Sequence, residues 1–151
     1  MLYLEDLKIG DQFKSREYEM TLTEIKDFAD KYDPQIFHLD EVAAKSHPVF
    51  QGMVASGWHT SAVSMRLLTE CFPIANGVIG SESSLRWTRP ARVGDLIYVE
   101  IEIVAITPSV TKTDRGIVTY VSQTRNQDGD VLMLSTTKIV VFKSNVDSGQ
   151  P

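Results

Sequence analysis

The chain has 151 residues, 42% hydrophobic and 23% charged, which suits one globular domain with a substantial core. Its net charge of −5 argues against a nucleic-acid-binding protein, which needs a basic face to neutralise phosphates. Cys71 is the only cysteine, so no intrachain disulfide and no cysteine-rich metal site can form. The N-terminal segment carries acidic residues where a signal peptide would have its positive charge and apolar run. No apolar run reaches the ~20 residues needed to cross a bilayer. We therefore expect a cytoplasmic protein with no membrane partner.

The first half of the chain has helical periodicity. Thr21 to Glu24 form a capping-box pattern, and the apolar spacing that follows predicts an amphipathic helix over 22–32. This helix should end at Asp33, because Pro34 disfavours helical geometry in the residue before it. A short helix is predicted over 39–44, with Asp40 as its N-cap. A third is predicted over 53–68 and should be buried, because it is apolar on most sides; one face carries Val54, Trp58, Ala62, Met65 and Leu68.

After Pro73 the periodicity changes to that of strands. Strands are predicted over 77–88, around the alternating Ile97–Ile103 segment, and over 116–125 and 130–142. Asp128-Gly129 predicts a hairpin between the last two. A buried helix against an antiparallel sheet is an α+β arrangement. We expect one domain over 1–143 and a disordered C-terminal tail over 144–151, where apolar residues are few.

Asp33 and His38 are the first candidates for chemistry, because they lie five residues apart across a turn that contains a proline. A carboxylate can take a proton from water, and an imidazole titrates near neutrality and can hold that water or return the proton. The alternative is structural: Asp33 caps the turn and His38 packs as a partly buried polar residue. Spacing alone leaves both interpretations open and favours the structural one.

Further candidates surround the start of the third helix. The backbone N–H of Gly52, before a buried helix, could stabilise negative charge on a thioester oxygen, or Gly52 could simply form a turn. Ser56 and Thr60 share a helix face, where they could hold a nearby carboxylate or act as small packing residues.

The histidines and arginines form two more groups. His47 and His59 could join His38 around a metal, but their spacing matches no metal motif, and we expect no metal and no cofactor. Arg86, Arg89 and Arg92 form a basic group that is either solvated or holds a phosphate-bearing ligand; solvation is the simpler interpretation.

Two segments of the sequence resemble motifs of a known protein family and so indicate more than periodicity does. The run from Asp33 to Asp40, with Phe50-x-Gly52-Met53 and Ala55-Ser56 after it, closely resembles the hydratase motif of the MaoC-like dehydratase family, which includes the (R)-specific enoyl-CoA hydratases. The segment from Arg86 to Asp95 is similar to a strand-turn-strand of the same family. The resemblance implies a single hot-dog domain, in which an antiparallel sheet wraps around a long central helix. It also raises Asp33 and His38 to the leading candidates.

The resemblance implies an acyl dehydratase that adds water syn, and reversibly, to a trans-2-enoyl thioester to give the (R)-3-hydroxyacyl thioester. Asp33 and His38 would activate the water, the Gly52 N–H would polarise the thioester carbonyl, and Thr60 would support Asp33. The usual motif is Asp-x-Asn-Pro-x-His, and this chain lacks its Asn; Gln35 could provide the missing hydrogen bond. The departure points to a subgroup that acts on branched or carboxylated acyl-CoAs.

Hot-dog proteins of this size usually pair, so the resemblance also implies a homodimer or an assembly of dimers. The substrate would be an acyl-CoA or an acyl-carrier thioester, with Arg86 and Arg89 as candidate binding residues. One alternative is a hot-dog thioesterase, although these usually carry an acidic residue on the central helix and this chain has none between Gly52 and Thr69. A non-catalytic acyl-CoA-binding protein is the other alternative.

Overall fold

The structure is a computed structural model that describes residues 1–145. Within that range a short 3-10 turn at Leu4–Asp6 precedes four α-helices and six β-strands. The helices are α1 (Leu22–Tyr32), α2 (Ile36–Leu39), α3 (Glu41–Lys45) and α4 (Gly57–Cys71). The strands are β1 (Gln12–Lys14), β2 (Tyr18–Glu19), β3 (Ile79–Trp87), β4 (Leu96–Pro108), β5 (Arg115–Arg125) and β6 (Val131–Phe142).

The sheet is antiparallel, with the strand order β1-β4-β5-β6-β3, and β2 pairs with the beginning of β4. The predicted hairpin at Asp128-Gly129 is confirmed: it joins β5 to β6, and Gly129 has the positive φ of +78° that glycine tolerates best. Alternate residues of β4 point into the core as predicted, and α4 packs against this face. The architecture is the α+β arrangement of a helix against an antiparallel sheet, and it agrees with the hot-dog fold.

Helix α1 has the predicted bounds. The Thr21 side chain caps its first turn by accepting a hydrogen bond from the Glu24 N–H at 3.3 Å. The reciprocal half of the capping box is absent, because the Glu24 carboxylate accepts hydrogen bonds from the Tyr18 hydroxyl instead. Asp40 caps α3 as expected, accepting from two backbone N–H groups.

The predicted start of the central helix at Met53 was wrong. Helix α4 begins at Gly57, with Ser56 as its N-cap. The preceding residues are extended, because Val54 forms a β-bridge with Arg92 and the Ala55 N–H donates to the Ala91 carbonyl at 2.9 Å. Gly52 consequently lies in a loop and not at the helix start.

The predicted burial of α4 needs a second correction. Its buried side carries Val63, Ser64 and Leu67, whereas Trp58 and Met65, which we expected in the core, are 59% and 43% exposed. Strand β3 next to them is exposed along almost its whole length, because it pairs with β6 on one side only. One side of the helix and one edge of the sheet are therefore uncovered in a single chain.

The last strand, β6, ends at Phe142. The backbone N–H of Ser144, the first residue of the predicted tail, donates to the Glu5 carboxylate at 3.0 Å. Residues 146–151 of that predicted tail lie outside the described residues. Among residues 1–145, no helix is both long enough and apolar enough to cross a membrane.

Candidate active site

Two short segments bring Asp33 and His38 together. Asp33 is the C-cap of α1, and its backbone N–H donates to the Ala29 carbonyl at 2.9 Å. The chain then turns at Pro34, and α2 begins at Ile36, which places His38 in the next turn. His38 Nε2 lies 3.2 Å from Asp33 Oδ2, and the His38 side chain is only 5% exposed. The five-residue spacing thus gives two side chains in contact.

The carbonyl of Val54 determines how the His38 ring is protonated. His38 Nδ1 lies 2.6 Å from this oxygen. A carbonyl oxygen can only accept a hydrogen bond, so Nδ1 carries the proton. In the neutral ring, Nε2 therefore has a free lone pair and faces the Asp33 carboxylate, which is also an acceptor. A molecule with two O–H donors, such as water, matches this arrangement.

Asp33 is held by hydrogen bonds that favour its ionised form. Gln35 Nε2 donates to Oδ1 at 2.6 Å. Partial burial raises the pKa of Asp33, but hydrogen bonds from Ser56 and Gln35 and the adjacent His38 outweigh it, so the pKa lies below its usual value of 3.8. Asp33 is therefore a carboxylate at neutral pH. Gln35 makes the supporting contact expected of it.

The pair lies in a cavity of about 500 Å³. Thr60 lines this cavity, and its hydroxyl lies 3.5 Å from the Ser56 carbonyl, to which it donates. Gly57, the first residue of α4, also lines it, so the N-terminal end of the helix faces the same space as Asp33 and His38. Apolar and aromatic side chains form much of the remaining wall: Phe37, Val49, Phe50, Val54, Trp58 and Trp87.

The structure does not bring every candidate to this cavity. Gly52 lines a separate depression together with Lys45, Gln51 and Arg92. Its predicted position at the positive end of a helix was wrong, because α4 begins only at Gly57.

The two arginines of β3 and its following turn differ. Arg89 lines the cavity, where its Nη1 is paired with Asp130 Oδ2 at 2.7 Å. Arg86 lies on the opposite face of β3, in a shallow depression with Ser84 and Thr136, and does not reach the cavity. Strand alternation explains the position of Arg86, since its neighbour Trp87 lines the cavity and adjacent strand residues point to opposite faces.

The other histidines have separate environments. His47 Nδ1 accepts hydrogen bonds from the backbone N–H groups of Val49 and Phe50, which shapes the loop over the cavity. His59 stacks on Phe28, and its buried Nδ1 has no partner among residues 1–145. Within the same residues, no group of three or more His, Cys, Asp or Glu side chains could hold a metal.

Sequence reasoning missed the two tryptophans of the wall. The Trp87 indole packs on Gly57, where an added Cβ would come within 2.9 Å of the ring. Trp87 Nε1 also donates to the Gly57 carbonyl at 3.0 Å, and Trp58 meets Trp87 edge to face. Residues 57 and 87 are distant in sequence, so helical or strand periodicity could not reveal this contact.

Comparison with known proteins identifies the family. The family model described as "MaoC like domain" matches residues 6–126. The chain belongs to the MaoC-like family.

Three proteins similar to this MaoC-like protein illustrate the range. The crystal structure of the MaoC-like dehydratase from Rhodospirillum rubrum is 50% identical over 95% of this chain and 99% of that one, with a TM-score of 0.92. The 3-hydroxybutyryl-CoA dehydratase of Methylorubrum extorquens is 25% identical over 88% of this chain and 83% of its own length. The R-hydratase PhaJ1 from Pseudomonas aeruginosa shares the fold, with a TM-score of 0.76 at 22% identity over 94% of this chain and 86% of that one.

Proposed function

We propose that this MaoC-like protein is an (R)-specific enoyl thioester hydratase, which reversibly adds water to a trans-2-enoyl thioester to give the (R)-3-hydroxyacyl thioester. The observation that carries the proposal is the contact of His38 Nε2 with Asp33 Oδ2, with Nδ1 fixed on the Val54 carbonyl. Two proton acceptors then converge on one point in a cavity large enough for an acyl thioester. The family, and a relative named 3-hydroxybutyryl-CoA dehydratase, support the same chemistry.

Both protons of the water have an acceptor in this arrangement. One O–H donates to the Asp33 carboxylate and the other to the lone pair of His38 Nε2. As the water oxygen bonds to C3 of the enoyl group, the pair takes up one of its protons, and the pair delivers a proton to C2. Addition is syn because both transfers occur on the side of the substrate that faces Asp33 and His38.

The thioester carbonyl needs a hydrogen-bond donor, because negative charge develops on its oxygen as C3 is attacked. The motif implies the Gly52 N–H for this role. Gly52, however, lies in a loop before α4 and lines a separate depression, so its N–H is not at the start of that helix. The N–H of Gly57 is the donor that we now favour, since Gly57 begins α4, lines the cavity and lies at the positive end of the helix dipole.

The substrate is a thioester of coenzyme A or of an acyl carrier protein, and the reaction requires no cofactor. Arg89, which lines the cavity and remains 59% exposed, is the candidate contact for a phosphate of the carrier. We place the protein in the cytoplasm. The free thiol of Cys71 is compatible with the reducing conditions there, and so is a thioester substrate.

We infer a homodimer from the uncovered elements of the single chain. Strand β3 has a free edge, its first residue Ile79 is exposed, and so are Trp58 and Met65 on α4. Such a free strand edge can pair with the same edge of a second copy, and a two-fold axis would bring both uncovered helices together.

The test is the hydration of crotonyl-CoA, followed by loss of the enoyl-thioester absorbance, with free thiol measured in the same reaction. We expect enoyl loss without thiol release. Asp33→Asn and His38→Gln should each lower kcat/KM by at least about a hundredfold, the usual contribution of a general acid or base. Circular dichroism and the unfolding midpoint of each variant provide the control for folding.

Other outcomes identify the alternatives. Thiol release would indicate a thioesterase, which the absence of any acidic residue on α4 before Glu70 argues against; Glu70 itself pairs with Arg16 at 2.7 Å on the surface. Binding of crotonyl-CoA with neither reaction would indicate a non-catalytic protein. Near-wild-type turnover in either variant would overturn the assignment of the pair.

A further inference from the structure

A second cavity, of about 250 Å³, lies between α4 and the inner face of the sheet. Its walls are largely apolar, with Met65, Leu68 and Val99 among them, but seven hydroxyl-bearing residues also line it: Ser61, Ser64, Ser83, Tyr120, Ser122, Ser135 and Thr137. The inner face of a sheet under a helix normally carries apolar side chains, so buried hydroxyls in these positions require an explanation. No charged side chain is among the described residues that line this cavity.

Trp87 forms the wall between this cavity and the one that holds Asp33 and His38. Its indole lines the first cavity, and its Nε1 donates to Ser61 Oγ, which lines the second, at 3.3 Å. Gly57 and Ser61 are one turn apart on α4, and Trp87 bonds to both. The two cavities are therefore neighbours along the same side of α4.

Most of the hydroxyls in the second cavity have a hydrogen-bond partner. Ser64 Oγ donates to the Thr60 carbonyl at 2.7 Å, so Thr124 must donate the hydrogen of the 2.7 Å bond between Thr124 and Ser64. Ser83 Oγ bonds to Thr137 Oγ1 at 2.8 Å.

One hydroxyl hydrogen of the Ser122–Ser135 pair has no acceptor among the described residues. The two serines face each other across β5 and β6, their oxygens are 2.6 Å apart, and they are 5% and 9% exposed. Two hydroxyls carry two hydrogens, and their mutual bond uses one. The other makes no side-chain or backbone hydrogen bond within residues 1–145. A buried donor without an acceptor costs free energy, and a ligand oxygen would remove that cost.

We propose that the acyl chain of the substrate passes Trp87 into this second cavity, and that the Ser122–Ser135 pair selects a chain with a neutral acceptor oxygen, such as an ether, a carbonyl or a hydroxyl. The inference rests on the proposed function and names its substrate class. A carboxylate at the same place would be buried without a cation among the lining residues, which is costly. The carboxylated acyl-CoAs suggested by the sequence motif are therefore not the class that this cavity fits.

The test compares the binding of two saturated thioesters with equal numbers of heavy atoms, 5-methoxypentanoyl-CoA and heptanoyl-CoA, by isothermal titration calorimetry. Neither can be hydrated, so the measurement does not depend on turnover. We expect the wild type to bind the methoxy compound more tightly. The double variant Ser122→Ala/Ser135→Ala should change the ratio of the two dissociation constants about fivefold toward heptanoyl-CoA, the effect of one hydrogen bond. Ser84→Ala, on the outer face of β3, is the matched control and should leave the ratio unchanged.

Tighter binding of heptanoyl-CoA by the wild type overturns the inference, whether or not the double variant folds. An equal ratio in the wild type and the double variant overturns it as well, and so does an equal change in Ser84→Ala. Hydration of crotonyl-CoA without the methoxy preference removes only this inference. A methoxy preference without hydration removes only the proposed reaction.

Discussion

His38 depends on a backbone atom that no side-chain substitution can remove. The Val54 carbonyl holds the proton on Nδ1, and it belongs to the extended residues before α4. The site therefore joins three parts of the chain: the end of α1, the whole of α2 and the residues that lead into α4. A displacement of Val54 would free Nδ1 and allow the ring to change tautomer, which would remove the lone pair from Nε2.

Asp33 couples the site to stability through its lowered pKa. A carboxylate whose pKa is lower in the folded state stabilises the fold above its unfolded pKa, and this contribution disappears as the pH falls through the folded value. We therefore expect the wild type to lose unfolding free energy relative to Asp33→Asn as the pH falls below about 4. Urea unfolding at a series of pH values measures it. A difference that is constant from neutral to strongly acid pH would contradict the expectation.

His59 should make the protein sensitive to mild acid. Burial lowers the pKa of His59 below its usual value of 6.5, with the nearby His38 acting in the same direction and Glu24 opposing it. Between the folded and unfolded pKa values the unfolded chain binds the extra proton, so stability falls as the pH drops below about 6.5. His59→Leu removes this proton uptake and should flatten the decline between neutral pH and about pH 5, as measured by urea unfolding. The same decline in both proteins would exclude His59 as its source.

At the scale of elements, the sequence was sufficient where local chemistry decides the structure. Thr21 and Pro34 define the two ends of α1, and the position of Asp33 follows from them. The start of α4 could not be predicted in this way. Val54 and Ala55 fit a helix by periodicity, but they pair with residues 91–92, and such a long-range pairing leaves no local signal. The Trp87–Gly57 contact escaped prediction for the same reason.

Ser56 shows how an element boundary and the site are connected. Its hydroxyl caps α4 by accepting from the Trp58 N–H at 3.3 Å, and it also supports the ionised form of Asp33. Ser56→Ala should lower the unfolding free energy by about 1 kcal/mol, the usual cost of losing an N-cap, and should also raise the pKa of Asp33. Chemical unfolding and a pH profile of crotonyl-CoA hydration measure the two effects.

Asp40→Ala is the matched control for Ser56, because Asp40 caps α3 but makes no contact with Asp33 among the described residues. It should lower stability by a similar amount and leave the acid side of the pH profile in place. If Ser56→Ala affected stability alone, as Asp40→Ala should, the hydroxyl would be only a helix cap.

At the scale of the whole molecule, the uncovered surfaces form one continuous region. The free edge of β3 runs beside the exposed side of α4, and Trp87 at the end of β3 connects this region to the cavity wall. A second copy placed there would cover apolar side chains that water otherwise contacts, and each of its contacts would occur twice across the two-fold axis.

Ile79 tests this dimer without touching either cavity. It is the first residue of β3 and is 45% exposed. If β3 edges pair, Ile79→Lys places a charge in the interface of both copies, and two lost apolar contacts of about 1.5 kcal/mol each weaken association at least about a hundredfold. Val110→Lys is the control, because Val110 is 94% exposed in the turn between β4 and β5. Sedimentation velocity should give twice the chain mass of 16.9 kDa for the wild type and the control, and the mass of one chain for Ile79→Lys. The uncovered region would not be a dimer interface if the wild type sedimented as one chain. The same would follow if Ile79→Lys formed a dimer as stable as that of the control.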